Sequence, residues 1–193
     1  KMPDKFKNKY EDEFELYERS INQKKDDKNK VYSIHEHQVG CITKGKENKK
    51  HEYGSKVALA VTYTNCIIVA TKTFSENIYD GHTLPDLIQQ STKMTGKVPK
   101  RSICDRGFRG QEKIGDTTIL IPKTQSKENS NYKKQQAKKN FARRSAIEPI
   151  IGHLKKDFRM AKNCLKGAEG DKINAQLAST AFNLWKKARE IAA

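Results

Sequence analysis

Phe6, Tyr10, Phe14, Tyr17 and Ile21 recur at intervals of three and four within an otherwise charged stretch. That period predicts an amphipathic helix over residues 5–23 with one aromatic stripe, which at helical spacing is a packing face rather than a base-stacking surface. The run "KKDDKNK" after it has no apolar anchor and predicts a linker. "VYSIHEHQVGCI" predicts a short extended piece and "TKGKENKK" a polar turn. Two runs of high β-propensity, "KVALAVTYT" and "CIIVATKTF", are separated by Asn65 at a turn and predict an antiparallel hairpin.

In "TLPDLIQQSTKM", Thr83 stands three residues before Asp86 and Pro85 falls in the first turn, a capping-box-like helix start that Gly96 brings to an end. "KRSICDRGF" and "TTILIPK" predict short strands, and the Lys-, Gln- and Asn-rich segment 123–140 a mobile loop. Residues 141–193 predict two helices, the first over "FARRSAIEPIIGHLKKD" and the second with Ile173, Leu177, Ala181 and Leu184 on an apolar stripe. Hairpin, helix, strand, strand, helix, helix implies an α/β domain whose helices pack on both faces of one small mixed sheet. The organisation expected is a helix and polar linker over 1–30, then a domain over 31–193, with no internal repeat.

Composition narrows the partners. With 35% apolar residues among 193, the chain can bury one core. A net charge of +16, from 39 basic and 23 acidic side chains, points to nucleic acid; lysine-rich runs such as "KGKENKK" also fit a merely solvated surface. Cys41, Cys66, Cys104 and Cys164 form no CxxC pair, so neither a zinc module nor a disulfide framework is suggested, which fits a reducing cytosol. Cys66 and Cys104 lie in apolar runs as small core residues. No run approaches the roughly 18 apolar residues of a membrane span, and no signal peptide is present, so a soluble intracellular protein is expected.

Two carboxylates could carry chemistry. Asp105 ends the strand "KRSIC" just before "RGFRG", where α/β sheets place ligands; a turn-forming aspartate fits the same position. Glu148 lies between Ile147 and Pro149-Ile150-Ile151, an apolar context in which a carboxylate needs a cation, although an ordinary ion pair with Arg144 one turn earlier also accounts for it. Arg144, Glu148 and Lys155 leave one face of a continuous helix. A strand-end Asp and a helix-borne Glu in a basic chain suit a magnesium- or manganese-dependent phosphodiester enzyme, with Arg144 and Lys155 neutralising phosphates. His35, His51, His82 and His153 show no metal-ligand spacing and read as structural, although His153, five residues after Glu148 near the same helix face, also fits a DNA or substrate contact.

"CDRGFRG" followed by "FARRSAIEPIIGHLK" resembles the catalytic core of bacterial insertion-sequence DDE transposases, the group that includes insertion-sequence families four and five. Their signature, Tyr-x2-Arg-x3-Glu-x6-Lys, is met at Phe141, Arg144, Glu148 and Lys155, with phenylalanine in place of tyrosine. "YDGHTL" and "LKGAEGDKINAQLASTAFNL" also resemble family-five segments, so the likeness covers residues 31–185. It implies a ribonuclease-H-like fold and two aspartates and a glutamate binding two divalent metal ions, Mg2+ or Mn2+. It also implies hydrolytic nicking at terminal inverted repeats followed by strand transfer into target DNA. Asp105 matches the second aspartate, Glu148 the glutamate, and Arg144 and Lys155 the DNA contacts.

The family's first aspartate lies on a strand upstream of the segment that begins here, so a carboxyl-terminal core lacking its first strand is expected, with weak or no cleavage alone. Asp80 in "YDGHTL" is a candidate substitute for that aspartate, but its place before a helix fits a turn residue better, and Glu52 in "HEYG" is a weaker candidate still. The resemblance further implies a homo-oligomer in the synaptic complex and a cytoplasmic, nucleoid-associated place of action. Two other readings stand beside it: a non-catalytic basic DNA-binding remnant and a stand-alone nuclease of the same fold.

Overall fold

A computed structural model describes residues 9–28, 30–37, 39–43, 51–121 and 130–192. They form two compact units, Lys1–Lys56 with Ser75–Asn77, and Val57–Phe74 with Ile78–Ala193.

The first unit opens with α1 (Glu11–Asn22), whose first turn carries Glu11, Asp12 and Glu13 and whose last carries Arg19, charges that complement the helix dipole. Phe14, Tyr17 and Ile21 do line one face, but no residue of the helix is buried, so the predicted packing face is uncovered among the described residues. Phe6 lies outside them. The polar run after α1 has an anchor that apolar patterning could not reveal. Gln23 accepts from the Val31 amide at 2.8 Å and donates to the Val31 carbonyl at 2.9 Å, closing the loop while Val31 is buried. Strand β1 (Cys41–Thr43) pairs antiparallel with β2 (His51–Tyr53), Cys41 opposite Tyr53. Residues 44–50, most of the predicted polar turn, lie outside the described residues.

The second unit is built on the predicted hairpin, β3 (Lys56–Val61) and β4 (Ile68–Phe74). The connection is too short for a parallel crossover, and the Thr62 amide donates to the Ile67 carbonyl at 2.8 Å. Alternate side chains of β3 enter different cores, as the strand period requires. Leu59 and Val61 pack with Ile68, Ile150, Leu154, Ala178 and Phe182, whereas Ala58 and Ala60 pack with Ala70 and Leu87. The hairpin is therefore sandwiched between α2 (Asp80–Thr95) and the pair α4 (Ile147–Lys156) and α5 (Gly167–Ile191).

Through Leu84 and Ile88, α2 also packs on Cys104, Phe108 and Ile119 of a second sheet. Its strands are β5 (Arg101–Ile103), β6 (Lys113–Ile114) and β7 (Thr117–Leu120), in the order β5-β7-β6, with β5 parallel and β6 antiparallel to β7. The fold is thus mixed α/β. Its strands in this unit form a two-stranded and a three-stranded sheet rather than the single sheet expected, because no strand among the described residues bridges them.

Three helices differ from the reading of the sequence. Helix α2 starts at Asp80, not Thr83: Thr83 is wholly buried and its hydroxyl donates to the Asp80 carbonyl at 2.8 Å, a mid-helix bond rather than a cap. Gly96 does end it, left-handed at φ 69. The expected loop at 123–140 is helical from Asn131 onward as α3 (Asn131–Ser145), while 122–129 lies outside the described residues. Ser130 caps α3 by accepting from the Lys133 amide, and Lys, Gln, Arg and Ala are strong helix formers, so propensity and cap outweigh the lack of an apolar stripe. In α5 the predicted stripe faces solvent, with Leu177 61% and Leu184 67% exposed. Ala175, Ala178, Ser179 and Phe182 are buried instead. Small residues let the helix approach β4 closely enough for Thr71 to donate to the Ser179 hydroxyl at 2.8 Å. At the same approach Asn183 bonds the Ile68 amide at 2.9 Å and its carbonyl at 2.8 Å.

Candidate active site

Asp105 follows β5 and caps a short 3-10 helix, Arg106–Phe108, its Oδ1 accepting from the Gly107 amide at 2.7 Å. It is exposed and stands at the carboxyl end of a parallel strand pair, next to Cys104, whose amide donates to the Leu120 carbonyl at 2.9 Å. The turn role weighed from the sequence is therefore present, at the carboxyl end of the strand. Burial pushes the Cys104 thiol above its ordinary value; the Ser102 hydroxyl opposes that shift and the Asp105 charge adds to it.

The 3-10 turn rests on the start of α2. The Tyr79 hydroxyl donates to the Arg109 carbonyl at 2.7 Å, and Phe108 packs beside Leu84 and Ile88. Gly107 lies against the Asp80 carboxylate: a Cβ placed on it would fall 2.4 Å from Asp80 Oδ2 and 3.0 Å from Asp105 Oδ1. So close an approach of the Asp80 carboxylate leaves no room for a side chain at this position.

The arm carrying the other predicted residues is broken where a continuous helix was expected. Helix α3 ends at Ser145 and α4 begins at Ile147, with Ala146 at the joint. Pro149 is the cause, because it has no amide to donate to the Ser145 carbonyl and is tolerated only in a first turn. The break leaves Glu148 in the first turn of α4, where the helix dipole favours an anion. Its side chain is 69% exposed and 4.0 Å from Arg144 Nη2, so the apolar surroundings inferred from its neighbours are not found. Ile150 and Leu154 turn into the core and leave Glu148 outside.

Arg144 is largely covered, 28% exposed, and its buried Nε has no hydrogen-bond acceptor among the described residues. Arg143 acts structurally, donating to the carbonyls of Tyr63 and Thr64 and lying over the Tyr63 ring, so that α3 is tied to the hairpin turn. Lys155 is exposed in the last turn of α4. His153 is engaged locally, its Nδ1 2.6 Å from Asp157 Oδ2 and its ring 5.8 Å from that of Trp185. The sequence pattern did not reveal α3 as a charged surface: Lys133, Lys134, Lys138, Lys139, Arg143 and Arg144 lie on it with no acid among them. Helix α3 contacts β5, the strand that leads to Asp105.

Hard carboxylate oxygens suit a divalent cation, and the exposed carboxylates of Asp105 and Glu148 are of that kind. Among the described residues no three His, Cys, Asp or Glu side chains are grouped so as to hold a metal, and no helix is long and apolar enough to cross a membrane. No curated protein and no solved structure matches the chain. The family model of the transposase DDE domain matches residues 22–184. The chain therefore belongs to the transposase DDE domain family, enzymes of the DNA cleavage and transfer steps of transposition that generally use divalent metal ions.

Proposed function

We propose that this chain carries the metal-dependent phosphodiester chemistry of an insertion-sequence transposase of the family-five type, on a ribonuclease-H-like core. Asp105 and Glu148 are its metal-binding carboxylates, Arg144 and Lys155 its phosphate contacts. One observation carries the reading: Asp105 stands at the carboxyl end of β5, and the arm bearing Arg144 and Glu148 begins with a helix lying on that same strand.

Asp105 and Glu148 would hold Mg2+ or Mn2+, which when bound activates the attacking water or 3′-hydroxyl and stabilises the leaving oxygen. Asp105 is presented by its cap on the 3-10 turn, which fixes one carboxylate oxygen on the Gly107 amide. Arg144 holds Glu148 near its guanidinium, whose positive charge would also favour a DNA phosphate. Lys155 and the bases of α3 add sequence-independent attraction to terminal inverted repeats and target DNA. Two element ends must be held together for transfer, so a homo-oligomer is the working form.

The exposure of Glu148 and its ion pair with Arg144 favour a second reading, a basic DNA-binding module without catalysis. DNA affinity with and without Mg2+ separates the two. Under the transposase reading divalent metal tightens DNA binding and Glu148→Gln or Asp105→Asn abolishes that gain. Metal-independent affinity that Glu148→Gln leaves unchanged or slightly raises would establish the binding module instead.

A further inference from the structure

The connection from α4 to α5, residues 157–166, is fixed from within. Phe158 and Met160 both pack on the core of Ile68, Ile150, Leu154, Ala178 and Phe182, and the Phe158 ring meets those of Phe182 and Trp185 edge-on at 5.8 Å and 6.0 Å. The Met160 amide donates to the Leu154 carbonyl at 2.9 Å, and the Met160 carbonyl accepts from Asn174 at 3.1 Å. Further along, Asn163 donates to Asp171 at 2.7 Å and accepts from the Leu165 amide at 2.9 Å. A Cβ placed on Gly170 would fall 2.8 Å from the Leu165 carbonyl carbon, so α5 lies close against the connection.

Arg159 stands between the two inward residues, exposed and left-handed at φ 57. Glycine adopts that conformation with less strain, so the turn alone does not account for an arginine there. Lys155, Lys156, Lys162 and Lys166 are exposed beside it in the chain. The acids of the same stretch are occupied: Asp157 lies 2.6 Å from His153 Nδ1, Glu169 3.1 Å from Lys172 Nζ, and Asp171 accepts from Asn163. None of the five bases is ion-paired among the described residues. A solvated surface of mixed charge would pair some of them; here the positive charge is left in excess on a fixed backbone. Leu165 is the one exposed large apolar side chain between residues 155 and 166, too little for a membrane surface, whereas unpaired bases suit the phosphates of a DNA duplex.

We infer that the α4–α5 connection is a further DNA-backbone surface, on which Arg159, Lys162 and Lys166, with Lys156, contact phosphates beyond the one assigned to Lys155. The inference deepens the reading of Lys155 as a phosphate contact and rests on DNA as the substrate.

The test is filter binding of duplex DNA by the full chain across salt concentration, with Lys155→Gln, Arg159→Gly, Lys162→Gln and Lys166→Gln. Lys93→Gln, which removes one exposed charge in the last turn of α2, is the control for net charge. Arg159→Gly, Lys162→Gln and Lys166→Gln are each expected to weaken binding about three-fold or more and to lower the slope of log affinity against log salt by about one, with Lys93→Gln close to wild type. The urea midpoint of Arg159→Gly should rise, because glycine relieves the left-handed residue, so that its loss of affinity is not a loss of fold. If the three connection variants bind as Lys93→Gln does, the connection is no DNA surface. In that event a loss on Lys155→Gln leaves the role of Lys155 standing, and no loss there removes it as well. If the connection variants lose affinity while Lys155→Gln does not, this inference holds and the assignment of Lys155 fails. A wild-type chain that binds no duplex DNA overturns both.

Discussion

Single residues fix the joints of this fold through polar groups that hydropathy ignores. Asn183 bonds both backbone groups of Ile68, so Asn183→Leu leaves an amide and a carbonyl without their partner. Each such loss costs about 1–3 kcal/mol, and a lower urea midpoint is the expected outcome. Cys104 sets a second expectation. Its thiol is pushed up by burial, so below the ordinary thiol value it is protonated in both folded and unfolded chain and stability is unaffected. As pH rises past that value the unfolded chain ionises first, and stability falls by at most about 1.4 kcal/mol per pH unit until the folded thiol ionises too. Urea titrations at pH 7 and pH 10 should show a larger alkaline loss for wild type than for Cys104→Ala. Exposed Cys164 should react with a thiol reagent in the native protein, while Cys104 waits for unfolding. Cys104 as a core residue was legible from its apolar run, whereas Asn183 was not, because its partner Ile68 lies 115 positions away.

Elements followed the sequence wherever local preference and tertiary demand agreed. The hairpin of β3 and β4 has β-branched runs and a turn, and Gly96 stops α2, so both were readable. Helix α5 was readable as a helix but not for its buried face. Its leucines lie outside while Ala175, Ala178 and Ser179 lie within, since closeness to β4 rewards small side chains and hydrogen bonds over bulk. Substitution distinguishes the two faces. Leu177→Gln and Leu184→Gln should change unfolding free energy by less than about 0.5 kcal/mol, whereas Ala178→Leu should destabilise by about 1–3 kcal/mol through overpacking. The break at Ala146 follows from Pro149, a signal present in the sequence whose consequence for the face shared by Arg144 and Glu148 needed the backbone to be seen.

At the scale of the whole molecule the net charge of +16 gains a location, since α3 carries six bases and no acid. Its contribution to DNA binding is electrostatic and sequence-independent, so affinity should fall linearly with log salt concentration. Lys133→Gln, Lys138→Gln and Lys139→Gln should each lower affinity about equally for matched and unmatched DNA, reducing the salt slope by about one for each phosphate no longer neutralised. A filter-binding series across salt concentration reads both. Loss of discrimination between end sequences without a change of slope would remove α3 from the backbone-contacting surface.

The sequence by itself determined the family, matched over residues 22–184, the basic character, and the local elements whose period and turn chemistry are encoded within a few residues. Only the tertiary structure decided which face of α5 is buried, that α3 is a charged helix lying on β5, and that the Asp80 carboxylate closes on Gly107. The difference has a physical cause. Periodicity and capping are properties of neighbours in the chain, whereas burial and close approach depend on residues far apart in sequence that only the packed chain brings together.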